Sequence, residues 1–268
     1  MEQLNQSSLP TVSGQPWEGV RYFCTTRQGG VSSSPWASLN LGAHVGDDSG
    51  AVSRNRQRVR AMLPGEPVWL TQVHGVEVFD ADKPTGHGQT DAAPIADAAV
   101  TLQANRVLAI MTADCLPVVL ASTDGRALGA AHAGWRGLAD GVLENTLRAL
   151  RECLPGNAAW RAWIGPAIGP ANFEVGDDVH AAFVDKDPDM AQFFVPKAEP
   201  GKWLADLPGL AQLRLLKAGV GMIELSNACT FNQPATYFSY RRDGATGRMV
   251  TLAWLADQRG CKPDSDLP

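Results

Sequence analysis

The sequence predicts an α+β fold with mixed sheets. Three observations point to it: many short apolar, β-branched runs, a few amphipathic helical stretches, and no regular β-α alternation between them. Taken in order, the strand-like runs fall at 20–25, 68–73, 76–79, 98–102, 107–111, 117–121, 127–131, 161–164, 236–240 and 249–254. Helical spacing marks 49–63, where Val52, Val59, Met62 and Leu63 share a face behind Asp47 or Asp48 as cap. It also marks 137–152, with Leu138, Val142, Thr146, Leu147 and Leu150 on one stripe and Asp140, Glu144, Arg148 and Arg151 on the other. Further helices are expected at 204–218 and 176–185. The connections are short, so residues 18–258 read as one domain, with a flexible arm at 1–17 and a tail at 259–268.

Composition narrows the function. With 44% hydrophobic residues the chain can bury a large core. A net charge of -5 with scattered basic residues argues against nucleic acid as a partner. No run approaches the roughly 20 apolar residues of a membrane span, and the first residues, MEQLNQSSLP, lack the regions of a secretory signal. The five cysteines are odd in number and unpaired in spacing, which suits a reducing compartment. The expectation is a cytoplasmic protein that handles a small molecule, bound to neither membrane nor nucleic acid. Oligomeric state is not legible.

Histidine is scarce, five in all, so each position counts. His74 sits in TQVHG, where a strand breaks. Cys115 follows Asp114 in TADCLP; an acid and a proline inside an apolar run predict a break or bulge there. His132 sits in AAHAGWRG, where a strand hands over to a helix. Such interruptions aim side chains into clefts. Two imidazoles and a thiolate form a zinc ligand set, with copper the other metal that suits these donors. Without metal, the same atoms read as a Cys115 nucleophile with His132 as base, oriented by Asp114 or a carbonyl. Each residue also has a plain structural reading, Cys115 as a small core hydrophobe above all. Spacing alone does not decide among them.

Other polar segments carry paired readings. Gly134-Trp135-Arg136-Gly137 opens a helix, either as a tight turn or as an anion site. SLNLGAH, with Asn40 and His44, and FSYRRDG, with Arg241 and Arg242, are solvated turns or substrate clamps; Arg27 invites the same pair. His87 and His180 read as surface residues.

The runs TTRQGGVSSSPWASLNLGAHVGDD, TQVHG, TADCLPVVL, AAHAGWRGL, IGPAIGPANFEVGDDV and FSYRRDGATGRM together resemble the YfiH, or laccase-domain, family. The resemblance spans nearly the whole chain, from about residue 25 to Trp254. It implies a four-layer α/β/β/α fold, likened to the Cys–His hydrolase domain of cytotoxic necrotizing factor toxins. It implies a zinc site of His74, Cys115 and His132, and polar motif residues at Asn40, His44, Asp97, Arg136, Cys229, Arg241 and Arg242. Met111, four residues before Cys115, is a thin candidate for a copper ligand. Three activities attach to the family. The favoured one is purine nucleoside chemistry: phosphorolysis of adenosine, inosine and methylthioadenosine, and adenosine deamination. The zinc deaminase signature is absent, so a general acid or base must come from elsewhere, with Asp114, His44 and Glu174 as candidates. The alternative is peptidoglycan editing, hydrolysis of the amide of UDP-MurNAc-L-serine by a Cys–His site. Copper polyphenol oxidation ranks last, since a multicopper centre needs more imidazoles. Cys229 is the residue to watch: as a fourth ligand it would make the metal site a closed, structural one.

Overall fold

The computed structural model describes residues 9–83 and 92–257. The expected tail and His87 lie outside the described residues, as does the start of the expected arm. The rest of that arm is corrected. Strand β1, Thr11–Val12, pairs antiparallel with β2, Val20–Thr25, and Trp17 is buried against Tyr22. An indole removed from water ties the segment down.

Helix α1, Ser49–Arg60, follows, capped by Asp48, whose side chain accepts from the Ala51 N–H. Then come β3, Pro67–Val68; β4, Val78–Asp80; β5, Ala98–Thr101; β6, Val107–Thr112; β7, Leu116–Ser122; and β8, Leu128–Ala133. The helix expected at 137–152 is two helices, α2 (Trp135–Asp140) and α3 (Val142–Cys153). Gly141, at φ 102°, ends the first and starts the second. Its left-handed backbone costs a glycine little. Strand β9, Trp160–Ile164, is followed by β10, Glu174–Gly176, and α4, Asp177–Val184. A 3-10 turn, Pro188–Phe193, leads to β11, Phe194–Pro196, and β12, Lys202–Ala205. Helix α5, Leu207–Lys217, is capped by Asp206. The chain closes with β13, Met222–Leu225, α6, Tyr240–Asp243, and β14, Met249–Leu255.

Among the described residues these strands form a five-stranded sheet, β1-β2-β14-β6-β3, a six-stranded sheet, β13-β9-β7-β8-β5-β4, and a small sheet, β10-β12-β11. Side-chain alternation explains how the larger two stack. On β6, Val107, Ala109 and Met111 face α1 together with Leu39, Leu41 and Val59. Leu108 and Ile110 face the other way, into a core shared with Val119, Ala121, Leu128, Ala130 and Trp163 of the six-stranded sheet. The opposite face of that sheet, with Val118, Leu120 and Ala131, packs on Leu143, Leu147 and Leu150 of α3 and Leu210 of α5. The order is helix, sheet, sheet, helix, an α+β protein with two mixed sheets back to back. Strands buried on both faces read as continuous apolar runs, which is why 107–111 and 117–121 were conspicuous.

Two expected strands differ. Of 68–73 only its first residue joins β3; the chain then leaves the sheet, and the Gln72 amide takes the backbone's place by bonding both N and O of Met111 at 2.8 Å. The run 236–240 forms no strand: Tyr237 and Phe238 plug the core between the sheets, and Ser239 caps a helical turn at Arg242 N. Sequence patterning also did not register β1, β13 or the small sheet, whose strands are short.

Candidate metal centre and active site

The site forms where two chain interruptions meet the end of β8. His74 is carried on the loop after β3 with φ 62°, a left-handed backbone unusual for a residue with a side chain. That shape is held by Asp97, just before β5. Its fully buried carboxylate accepts from the N–H groups of Val73 (3.1 Å), His74 (2.9 Å) and Gly75 (2.7 Å). The same carboxylate lies 2.8 Å from Nδ1 of His132 on β8, and His132 N donates to the Asp97 carbonyl at 2.7 Å. Bonding Nδ1 this way turns Nε2 toward the cleft. Cys115 stands between β6 and β7, right after Asp114 at φ 91°. Pro117 is the second residue of β7, so the break precedes the proline.

One donor atom each from His74, Cys115 and His132 lies within 4.8 Å of the others. Cys115 Sγ is 3.8 Å from His74 Nε2, and the two imidazoles meet edge to face at 4.7 Å between centroids. A tetrahedral zinc ion sets sulfur and nitrogen ligands about 3.6 Å apart, so the donor set fits a metal. Gly134 makes the closeness possible: a Cβ there would stand 2.6 Å from His74 Cδ2 and 3.2 Å from Cys115 Sγ.

Electrostatics follow from this packing. Burial alone would raise the Cys115 thiol, but the His132 charge and the hydrogen bonds from both imidazoles outweigh it and bring the group down to about 6. Burial likewise opposes the charged form of His132, yet the Cys115 thiolate and Asp97 lift it to about 9. Burial would raise Asp97; its bonds to His132 and the loop N–H groups hold it below the usual carboxylate range.

The cluster opens on a pocket of about 420 Å³ lined by His44, Gln72, Met111, Thr112, Ala113, Tyr240 and Arg248 besides the three donors. That volume falls in the range of small-ligand sites. His44 lines this pocket; burial first, then Arg248 and Arg56, hold its imidazole below its ordinary range. The other expected residues are spent elsewhere. Asn40 is fully buried and bonds Gly42, Asp47 and the Arg248 N–H. Arg136 lies exposed over Trp135. Arg242 caps the carbonyls of Thr230, Phe231 and Tyr237 and pairs with Asp243. Arg241 donates to the Glu174 carbonyl. Asp114, expected as an acid, base or orienter, accepts from Thr230 Oγ1, Ser239 Oγ and Arg241 N instead. Asp97 is the orienter of His132. Glu174 is paired with Lys197 and lies off the pocket. Cys229 is not a fourth ligand; its sulfur accepts from Gly169 N at 3.2 Å in a separate cleft.

Sequence reasoning missed Arg248 and Tyr240 as pocket residues. Both lie within the run FSYRRDGATGRM, but nothing in the string separates Arg248 from the adjacent pair 241–242. Asp97 did carry a signal: an acid set in the apolar run PIADAAV asks for a buried partner.

Two stacked mixed sheets between helices, with a thiolate and two imidazoles converging at a pocket, define a protein of the laccase-domain fold. The chain belongs to the family described as multi-copper polyphenol oxidoreductase laccase, which matches residues 21–256. It is 49% identical over 251 residues to a purine nucleoside phosphorylase of Xylella fastidiosa, covering 90% of this chain and 94% of that one. It is 45% identical to the purine nucleoside phosphorylase YfiH of Escherichia coli, covering 89% and 95%. The crystal structure of a Neisseria meningitidis protein of the DUF152 family superposes with a TM-score of 0.83 at 45% identity, over 92% of this chain and 99% of that one. No helix among the described residues is long and apolar enough to cross a membrane.

Proposed function

We propose that this chain is a zinc-dependent purine nucleoside enzyme. It cleaves adenosine, inosine and methylthioadenosine with phosphate and deaminates adenosine. The observation that carries the reading is the union, in one pocket, of the His74–Cys115–His132 cluster with the guanidinium of Arg248. The names of the relatives supply the substrate class.

In phosphorolysis the C1′–N9 bond breaks and a phosphate oxygen bonds C1′. The bonding pair leaves with the purine, which takes up a proton. Arg248 is the pocket's cation for the phosphate. It is half-buried, and burial lowers it from its ordinary value, but an arginine stays charged at neutral pH. A guanidinium in a partly dry pocket acts on phosphate more strongly than one in water. His44, held neutral near pH 7, accepts a proton or a hydrogen bond at the pocket wall. For deamination that makes it the base candidate toward water attacking the purine C6. His74, Cys115 and His132 would hold the zinc, and the chemistry zinc supplies there is Lewis acidity.

A second reading is favoured by one observation, the chain of contacts Asp97–His132–Cys115. That is a nucleophile, base and orienter. Cys115 would attack the amide carbon of UDP-MurNAc-L-serine, His132 would give a proton to the departing serine amine, and water would then hydrolyse the thioester to the carboxylate and the free thiol. Copper polyphenol oxidation ranks last, as five histidines are too few for a multicopper centre.

One side-by-side assay tests the reading. The purified protein is given adenosine or inosine with phosphate and, separately, UDP-MurNAc-L-serine, with Cys115→Ala as control. Ribose 1-phosphate formed by the wild type and lost in the variant supports phosphorolysis. Serine release without it would move the assignment to amide hydrolysis.

A further inference from the structure

Tyr240 combines two properties that rarely coincide. The residue is 62% exposed, yet it lines the same pocket as the Cys115 thiol. Large aromatic rings gain most from burial, so a ring left open at a pocket wall is a surface awaiting a ligand. The turn that carries the ring is firmly held. Ser239 Oγ and the Arg241 N–H, on either side of it, both donate to Asp114 Oδ2, at 3.0 and 2.7 Å. Thr230 Oγ1 holds the other oxygen at 2.6 Å.

Asp114 is 8% exposed and immediately precedes Cys115. One buried carboxylate therefore fixes the turn that presents the thiol and the turn that presents the ring. The Arg248 guanidinium lies over the Tyr240 ring, 6.0 Å from its centroid, and lines the pocket too. An open aromatic face beside a cation complements a flat heteroaromatic ring joined to, or bound together with, an anion.

We propose that Tyr240 is the platform on which the substrate's purine ring stacks, and that Asp114 is a positioning residue that sets this platform against Cys115. The proposal deepens the purine nucleoside reading and rests on it. It also accounts for an acid buried next to the thiol that makes no contact with either imidazole.

The test is binding of adenosine, read before turnover by stopped flow, and equilibrium binding of ribose 1-phosphate, to the metal-loaded wild type, Tyr240→Ala, Tyr240→Phe and Asp114→Asn, with kcat and KM for phosphorolysis. Loss of one base–aromatic stack weakens binding about tenfold. Tyr240→Ala should show that loss for adenosine, in Kd and in KM, with kcat and ribose 1-phosphate affinity changing far less. Tyr240→Phe should restore wild-type affinity, since the face and not the hydroxyl does the stacking. Asp114→Asn should follow Tyr240→Ala while keeping the wild-type metal content. Ser239→Ala, which removes one of the three contacts to Asp114 along with the cap on Arg242 N, should shift adenosine affinity in the same direction by less. Adenosine binding unchanged in Tyr240→Ala overturns the platform and leaves the nucleoside reading standing. Equal weakening of both ligands overturns it as well, because that marks a general disturbance. A wild type that binds no purine at all overturns both.

Discussion

Oδ1 of Asp97 lies 2.8 Å from Nδ1 of His132, with both side chains sealed from solvent. The same carboxylate gathers the three N–H groups of the His74 loop. One acid thus sets the tautomer of one imidazole and the backbone of the other, from outside the donor set. Partners behind metal-bound histidines typically contribute 10–100-fold in affinity.

Asp97→Asn should therefore weaken metal binding by about 10–100-fold with the fold retained. Asp97→Ala strands buried N–H groups and the His132 charge, and should cost roughly 3–5 kcal/mol of stability. Chelator competition reads the first and urea unfolding the second. Metal affinity unchanged in Asp97→Asn would remove Asp97 from the account.

The thiol prediction concerns metal-free protein. The Cys115 group is depressed to about 6 and His132 raised to about 9, so between those values the pair is thiolate and imidazolium. Alkylation of Cys115 should rise with pH through a midpoint near 6 and not near the ordinary thiol value. Adding zinc should suppress it. His132→Ala removes the main charge that favours the thiolate and should move the midpoint upward. A wild-type midpoint at the ordinary thiol value would show that the imidazoles do not act on the sulfur.

Gly134 tests the geometry of the cluster. Gly134→Ala adds a methyl group 2.6 Å from His74 Cδ2 and 3.2 Å from Cys115 Sγ, so the donors must shift. Metal content should drop while the far-ultraviolet circular dichroism stays that of the wild type. Full metal occupancy would contradict the closeness of His74 to Cys115.

The core makes a separate prediction. Leu120, fully buried between the six-stranded sheet and the helices, should cost about 2–5 kcal/mol when cut to Ala. Activity per folded molecule should not change, because Leu120 lies off the pocket. Thermal unfolding with an activity assay on the folded fraction separates the two.

Much of the fold was legible because its central strands are buried on both faces: β6, β7, β8 and β14 write themselves as apolar runs. The three donors stood out at breaks or ends of such runs, but only the family resemblance singled them out as one ligand set. The misreadings have physical causes too. Tyr237 and Phe238 are apolar because they fill the core between sheets, not because they pair in one. Gly141 divides a helix whose apolar stripe runs on across it. Arg241 and Arg242 look like a clamp, yet neither lines the pocket: Arg241 donates to the Glu174 carbonyl on β10, and Arg242 to three carbonyls and the Asp243 carboxylate. Which arginine faces a pocket depends on the path of the chain, and Arg248 is placed by contacts as distant in sequence as Asn40.

The account depends on His74, Cys115 and His132 sharing one ion. Absorption spectroscopy of the cobalt-substituted protein, titrated to saturation, tests this most directly. We predict one ion per chain with a sulfur-to-cobalt charge-transfer band, the band abolished in Cys115→Ala and affinity collapsing in His74→Ala and in His132→Ala. Retention of the ion at wild-type affinity in those three variants would contradict it.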